Sequence, residues 1–541
     1  MLKYTNKLNN LSLPFRGVPF WLTHQIQLRH RHDDKKNASN NRPNFQNAIS
    51  MRQIEAKKSI LIETDRDPNT IKKVIAYCSN ARVKNIYRKD DVDGKISHFL
   101  VEFENFSTVN NIITTAFHPG NFLLDSKIRA KGRFLRFNPI HNPTRENRSN
   151  VPVKVERNIT EHELLLKEMR KEKSIDKQIM TLYKSNRLSD FSTRLRFLTA
   201  LQLEEALSGV FHQPKVLPFG SSINGFGRMQ SDLDMILLSC GNRIRNCPFD
   251  VMEVGPLDGR FSVRNNLHLI SNIARNWLHG VKHVEPILNA RVPIIKYHQK
   301  LTCLECDLSM SNISGFQMSE ILYTLGEMDW RVRPFVFYMR TWAQSFGIMQ
   351  GYPSLGLSNF MLTCLAIFFL QQLPQPVLPP IDDFMKLIVT DDKIPSITDS
   401  TKLNFKSKNT STLTQLLMEF FDFYASFNFQ EDAVSISAGS IKVNVGAESM
   451  YIYNPLDVGV NVSRNITDYE RNDFVNKCRF AQNALANDKL DAVALLELVG
   501  EGNIASKLDS FVHNMVNMNK DKISSNNKTV KRKFIVKTIL S

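Results

Sequence analysis

Three Asp-x-Asp pairs stand in the chain: Asp65/Asp67, Asp91/Asp93 and Asp232/Asp234. The first two lie in TDRDPN and KDDVDGK, whose content reads as turns and solvated charge. The third, in SDLDMILLS, runs directly into the apolar stretch Met235 to Leu238, which reads as a buried strand. A period of two along that strand puts Asp232 and Asp234 on the same face at one end of it. Converging carboxylates repel unless they share a proton or a divalent cation. Ser221, preceded by Gly220, stands 11 positions before Asp232. A glycine lets the backbone approach closely, and N–H groups beside a hydroxyl suit an anion. The pattern reads as a phosphate cradle next to a metal site. Asp307, after LTCLEC, is a candidate third carboxylate, and Glu305, two residues earlier on the same face, is its rival.

The elements that must position these groups belong to a chain of 541 residues, long enough for two or three cores, because single cores stop growing near ~250–300 residues. Seventy Lys plus Arg against 53 Asp plus Glu leave a net charge of +17, which favours a polyanionic partner such as nucleic acid. The longest apolar run, Asn359 to Leu370, falls short of the ~20 residues of a membrane span and reads as a buried helix, so no membrane partner is expected. Seven cysteines without framework spacing point to a reducing compartment, and Cys303-x-x-Cys306 lacks the second pair of a structural zinc site.

Met1 to His32 contains no acid but holds Lys3, Lys7, Arg16, Arg29 and Arg31, the profile of a transit peptide directed to the mitochondrial matrix. The leader is set at residues 1–50, and Asn37 to Gln53 reads as polar and flexible. A strand at 59–64, a helix at 68–79, strands at 83–89 and 96–104, a helix at 107–117 and a strand at 126–137 follow the ferredoxin-like order of RNA-recognition modules, in a domain at 56–140. Its strand HFLVEFE offers only Phe99 and Phe103 for base stacking, and Glu102 and Glu104 would repel phosphate. Packing or self-association, as a homodimer, is therefore expected of it in preference to base reading. Residues 141–190 read as a charged helical linker with Leu164, Leu165 and Met169 on one face, and an amphipathic helix follows from Phe191. The basic tail at 506–541 carries Lys528, Lys531, Arg532, Lys533 and Lys537, suited to nonspecific phosphate contacts.

The order G-S, D-x-D, then D-L-S-x-x-N from Asp307 to Asn312, resembles the polymerase-beta-type nucleotidyltransferase superfamily. The blocks VRPFVFYMRTWAQSFGI, GLSNFMLTCLAIFFLQ, LTQLLMEFFDFYASFNF and YIYNPLDVGVNVSRNI are similar to its mitochondrial poly(A) polymerase branch, and the likeness runs from about residue 195 to 480. The resemblance implies an α+β chain: an RRM-like ferredoxin-type domain, a nucleotidyltransferase palm of mixed sheet and helices at 191–330, and a largely helical poly(A)-polymerase-associated domain at 331–505.

It further implies transfer of adenylates from ATP to the 3′ ends of mitochondrial RNA, mRNA above all. Two Mg2+ or Mn2+ ions would be held by Asp232, Asp234 and Asp307. Gly220, Ser221 and Arg340 would hold the triphosphate, Phe360 would stack on the base beside Asn359, and Asn312 matches the Asn that follows the third carboxylate. The sequence departs from the uridylyl relatives at three places. Val460 precedes Asn461 where they carry a His, Met318 stands where an Asn contacts ribose, and Gln344 stands where a basic residue is expected. Adenine is therefore favoured, and ribose and triphosphate contacts must be partly remade. The alternatives are a terminal uridylyltransferase of broad specificity and a non-catalytic RNA-binding scaffold. The intact set Gly220, Ser221, Asp232, Asp234 and Asp307 argues against the scaffold.

Overall fold

The structure, a computed structural model, describes residues 44–79, 82–91, 95–115, 132–137, 151–156, 162–211, 213–239, 260–349, 356–385, 388–389, 396–397, 405–446, 448–486 and 490–497. The transit-like leader as far as residue 43, the 126–131 part of the last expected strand, and the basic tail lie outside the described residues.

The chain enters through α1 (Phe45–Lys57). Asn44 caps this helix by accepting from the Gln46 N–H at 2.9 Å. Phe45 and Ile49 are buried, the Phe45 ring lying 5.7 Å from Phe316 and 5.4 Å from Tyr323. The stretch to Gln53, expected to be flexible, is therefore helical from Phe45, because two apolar residues one turn apart find a core to enter.

A first sheet follows, built from β1 (Ser59–Asp65), β2 (Val83–Asp90), β3 (Ile96–Phe103), β4 (Phe134–Arg136) and β5 (Val153–Val155), with α2 (Pro68–Ser79) and α3 (Phe106–Thr115) on one face. Its order is β4-β1-β3-β2-β5. β3 runs antiparallel to both β1 and β2. Asp67, from one of the bland Asp-x-Asp pairs, caps α2: its Oδ2 accepts from the Thr70 N–H at 2.9 Å, and Pro68 opens the helix. Val74, Cys78 and Val109 pack against Ile60, Ile62, Val101, Phe99 and Phe103. Phe99 and Phe103 thus lie under the helices and cannot stack bases. The opposite face carries Leu61, Tyr87, Leu100 and Phe134, and it is covered by Phe191, Leu195 and Leu198 of the helix that follows the linker. Glu102 does not repel phosphate: it is 1% exposed and accepts from Arg194 Nη1 at 2.9 Å, Lys84 Nζ at 3.1 Å and Asn85 Nδ2 at 2.7 Å.

The region read as a linker is packed. β5 adds a fifth strand to the first sheet. α4 (His162–Arg170) and α5 (Ile175–Asn186) place Met169, Ile179 and Leu182 in the helical core. The buried face of α4 is Leu165, Leu166 and Met169, whereas Leu164 is exposed, so the expected stripe was displaced by one residue. α6 (Asp190–Leu207) is buried around most of its circumference and is not amphipathic, because it lies between two sheets. Phe191, Leu195 and Leu198 meet the first sheet, and Ala200, Leu203 and Leu207 meet the second.

The second sheet comprises β6 (Pro214–Pro218), β7 (Leu233–Ser239), β8 (Val281–Ile287), β9 (Ile294–Gln299) and β10 (Leu304–Ser309), in the order β6-β7-β10-β9-β8, with α7 (Arg260–Trp277) beside it. Alternation sends Leu233, Met235, Leu237, Cys306, Leu308 and Tyr297 into the core beneath the helices. Asp234 and Asp307 therefore face the other way, and they stand opposite each other in the parallel β7–β10 pair. Beyond lies the helical body: α8 (Ile313–Met328), α9 (Val332–Ser345), α10 (Asn359–Gln372), α11 (Leu413–Ser426) and α12 (Asp468–Ala486). α10 is the long apolar run, and it is buried on every side from Met361 to Gln371. Among the described residues no helix is long and apolar enough to cross a membrane.

Candidate active site

A cleft of about 690 Å³ opens between the second sheet and the helical body, and Gly220, Ser221, Asp232, Asp234, Asn312, Arg340, Asn359 and Phe360 all line it. Asp307 is not in its lining but lies beside it, in register with Asp234.

The loop after β6 is drawn over the acidic strand. Phe219 donates its N–H to the Asp234 carbonyl at 3.0 Å. Gly220 adopts φ +62°, and a Cβ there would sit 2.9 Å from Asp234 Oδ2, so only glycine fits. A Cβ on Gly227 would come within 2.1 Å of the Ser221 carbonyl oxygen, a second approach that admits no side chain. The Gly220 N–H donates to Ser319 Oγ at 2.6 Å, and Ser319 Oγ donates to the Gly315 carbonyl at 2.8 Å. That N–H, expected to meet phosphate, is thus engaged in tying the loop to α8, which leaves Ser221 as the loop's polar contribution to the cleft. Ser319 is the tie, and the sequence marks it only as the polar neighbour of Met318.

The carboxylates form an electrostatically strained group. Burial, with Asp307 and then Asp232 nearby, pushes the Asp234 carboxyl up to about 7. Burial also raises Asp307, against the opposing pull of Lys296. Lys296 Nζ bridges the two strands, 3.5 Å from Asp232 Oδ2 and 3.5 Å from Asp307 Oδ1. Among the described residues no three His, Cys, Asp or Glu side chains converge into a ready-made metal cage. The donor set nonetheless fits a hard divalent cation. All three groups are carboxylates, and buried Asp307 Oδ1 has only the long 3.5 Å ion pair to Lys296 and no well-formed hydrogen bond. Glu305 is a poorer third ligand: its side chain is half exposed, and Oε1 lies 2.9 Å from His298 Nδ1.

Two arginines also line the cleft. Arg340 donates from Nη1 to the Phe226 carbonyl at 2.8 Å and from Nε to Thr363 Oγ1 at 3.1 Å. Burial and the nearby Arg228 push its guanidinium down to about 9. Arg228 lines the same cleft, a basic residue that sequence reasoning missed. Asn312 caps α8 by accepting from the Gly315 N–H at 3.0 Å. Ser358 caps α10 by accepting from the Met361 N–H at 3.2 Å, which presents Asn359 and Phe360 on the first turn. Asn454 and Leu456 also line the cleft. Val460, expected to set base choice, is half buried and outside the lining, while its neighbour Asn461 is buried and accepts from the Ile452 N–H at 3.0 Å. Carboxylates, guanidinium groups and an aromatic ring about one cleft match a metal-chelated nucleoside triphosphate.

Comparison with known proteins agrees. The family model for the central palm domain of mitochondrial-like poly(A) RNA polymerases matches residues 175–327, and that for Cid1-family poly(A) polymerases matches residues 412–451. The chain is 34% identical over 478 residues to the mitochondrial poly(A) RNA polymerase of Drosophila melanogaster, covering 83% of this chain and 77% of the relative. With the Homo sapiens protein of the same name it is 32% identical over 320 residues, 57% of this chain and 55% of that protein. The crystal structures of mtPAP in its apo form and in complex with ATPγS each superpose with a TM-score of 0.73 at 27% identity, covering 84% of this chain and 99% of theirs. Domain order, cleft and sequence identity converge: the chain belongs to the mitochondrial poly(A) RNA polymerase family.

Proposed function

We propose that the chain transfers adenylates from ATP to RNA 3′ ends in the mitochondrial matrix, with release of pyrophosphate. The observation that carries this reading is the convergence of Asp232, Asp234 and Asp307, the last two in register on adjacent strands, beside a cleft that Arg340 and Phe360 also line. Asp232, Asp234 and Asp307 would hold two divalent ions, Mg2+ or Mn2+. When bound, such ions supply a lowered pKa for the attacking hydroxyl and charge neutralisation on the leaving pyrophosphate. The protein's own part is positioning. Ser221 and Arg340 hold the triphosphate, Phe360 stacks on the base with Asn359 beside it, and Asn312 and Gly220 fix the backbone around the acids.

The family's name supports the mitochondrial location, and the acid-poor leader supports delivery by a transit peptide. RNA is the polyanion that the net charge of +17 calls for, and mitochondrial mRNA is the proposed substrate class. Because its base-stacking face is covered by α6, the ferredoxin-like domain is assigned to packing and to homodimer formation through its other surfaces. Crystal structures of mtPAP in complex with UTP, CTP and GTP support use of other nucleotides beside ATP, and the preference for ATP itself rests on the absence of the uridylyl relatives' His at Val460.

The deciding experiment incubates the purified protein with a 3′-hydroxyl RNA and each NTP in turn. ATP extends the RNA fastest, and Asp234→Ala extends it with none. Faster use of UTP at equal concentration replaces this reading with the uridylyl one, and no extension with any NTP and either metal replaces it with the scaffold.

A further inference from the structure

Arg228 borders the cleft from the turn that ends at Asp232. The turn closes on itself: the Ser231 N–H donates to the Arg228 carbonyl at 3.0 Å, and the Arg228 N–H donates to Ser231 Oγ at 3.0 Å. Its start is pinned to the α5–α6 connection, where the Leu188 N–H donates to the Gly227 carbonyl at 3.0 Å. The Arg228 backbone therefore has a fixed place relative to the acids.

The guanidinium meets only neutral groups. Nη1 donates to Gln344 Oε1 at 2.8 Å, Nη2 donates to Thr341 Oγ1 at 2.8 Å, and Nε is buried without an acceptor. Among the described residues no carboxylate pairs with Arg228 or with Arg340, although both line the cleft. The acid on the same turn, Asp232, reaches Lys296 instead. Two neighbouring guanidinium groups, half withdrawn from water and without counter-charge, are an unfavourable arrangement unless an anion enters between them.

We propose that Arg228 is a phosphate-binding residue that, with Arg340, clamps the terminal phosphates of the incoming nucleoside triphosphate. The proposal rests on the polymerase reading above and names a new contact for its substrate. It supplies, from the turn before the metal-binding strand, the cation that the side chain at Gln344 does not. The clamp recognises the polyphosphate tail, so it distinguishes a nucleoside triphosphate from a monophosphate and is indifferent to the base.

The test is equilibrium binding of ATP and of AMP to the full chain and its variants, alongside the KM for ATP in RNA extension. Loss of charge-assisted bonds in Arg228→Met weakens ATP binding by about ten- to a hundredfold and leaves AMP binding within about twofold. Gln344→Lys, which returns a cation to the side chain now bonded to Arg228, restores much of the ATP affinity in the Arg228→Met background. That rescue separates a lost charge from a disturbed fold, and Arg228→Lys gives an intermediate loss. Equal weakening of ATP and AMP, unchanged ATP affinity, or a failure of Gln344→Lys to rescue overturns the assignment of Arg228. A wild-type protein that binds ATP no better than AMP overturns the polymerase reading itself.

Discussion

Arg196→Met tests how the turn before Asp232 is held. The side chain is 1% exposed and comes from α6, behind the acidic strand. Nη2 donates to the Ser231 carbonyl, Nη1 reaches the Ser192 carbonyl at 3.4 Å, and Nε has no acceptor. Burial pushes the guanidinium from 12.5 down to about 10, with Cys306, Asp232 and Asp234 pulling the other way. A lowered cation pKa means that below pH 10 the charge is kept in both states and folding bears its cost, about 3 kcal/mol at 1.36 kcal/mol per unit. Methionine removes that cost. It also removes a charge-assisted hydrogen bond of about 1.5–3 kcal/mol and leaves the Ser231 carbonyl unsatisfied at about 1–3 kcal/mol.

The opposing contributions nearly cancel, so global stability should change by no more than about 2–3 kcal/mol. Activity should not be spared, because Ser231 directly precedes Asp232. A carboxylate displaced by about 1 Å costs on the order of a hundredfold in rate. Single-turnover extension at saturating ATP, read beside thermal unfolding, separates the two effects. A rate within threefold of wild type would refute the argument, and so would a rate loss accompanied by collapse of the thermal transition, which would make Arg196 a folding residue.

Asp307→Ala should abolish extension while Glu305→Ala, which loses only the exposed contact to His298, retains most of it. The reverse result in the same RNA-extension assay would move the third ligand to Glu305. Because Asp234 titrates near 7 in the fold against an ordinary 3.8, the metal-free folded chain binds the extra proton between about pH 4 and 7. Its stability should therefore fall as pH rises through that window, while Mn2+ affinity rises; unfolding and calorimetric titrations that stay flat from pH 5 to 8 would contradict this. Asn454→Ala should alter the ratio of ATP to UTP incorporation more than Val460→His, since Asn454 lines the cleft and Val460 does not; the opposite order in competition assays would return base choice to Val460.

What the sequence reveals here is whatever one element specifies by itself. The alternation around Met235 to Leu238 is enough to orient Asp232 and Asp234, and the uninterrupted apolar run of α10 is enough to bury it. What it hides depends on a second element. In β3 the run Phe99-Leu100-Val101-Glu102-Phe103 is buried on both faces, so periodicity cannot say which aromatics face the helices. Glu102 reads as a solvated charge until Arg194 is placed against it. The Gly220 N–H reads as free until Ser319 arrives from 99 residues away. Arg228 is invisible for the same reason, since its meaning lies in Gln344 and Thr341, more than a hundred residues away in the chain, and in the lack of any paired acid among the described residues.

The helix α6 shows why a boundary drawn at residue 190 divides what the fold joins. Arg194 and Arg196 stand two positions apart, which on a helix turns them roughly 200° away from each other. Arg194 points to the first sheet and α1, with Glu102 Oε2 at 2.9 Å, Glu55 Oε1 at 2.8 Å and Asp190 Oδ2 at 2.9 Å. Arg196 points to the second sheet and holds Ser231. One rigid element thus fixes the ferredoxin-like sheet on one side and the turn that leads to Asp232 on the other. Phe191, Leu195 and Leu198 seal the surface where an RNA-recognition module would stack bases, and the same seal sets the axial position of α6. The ferredoxin-like sheet, through α6, in this way braces the turn that carries Asp232.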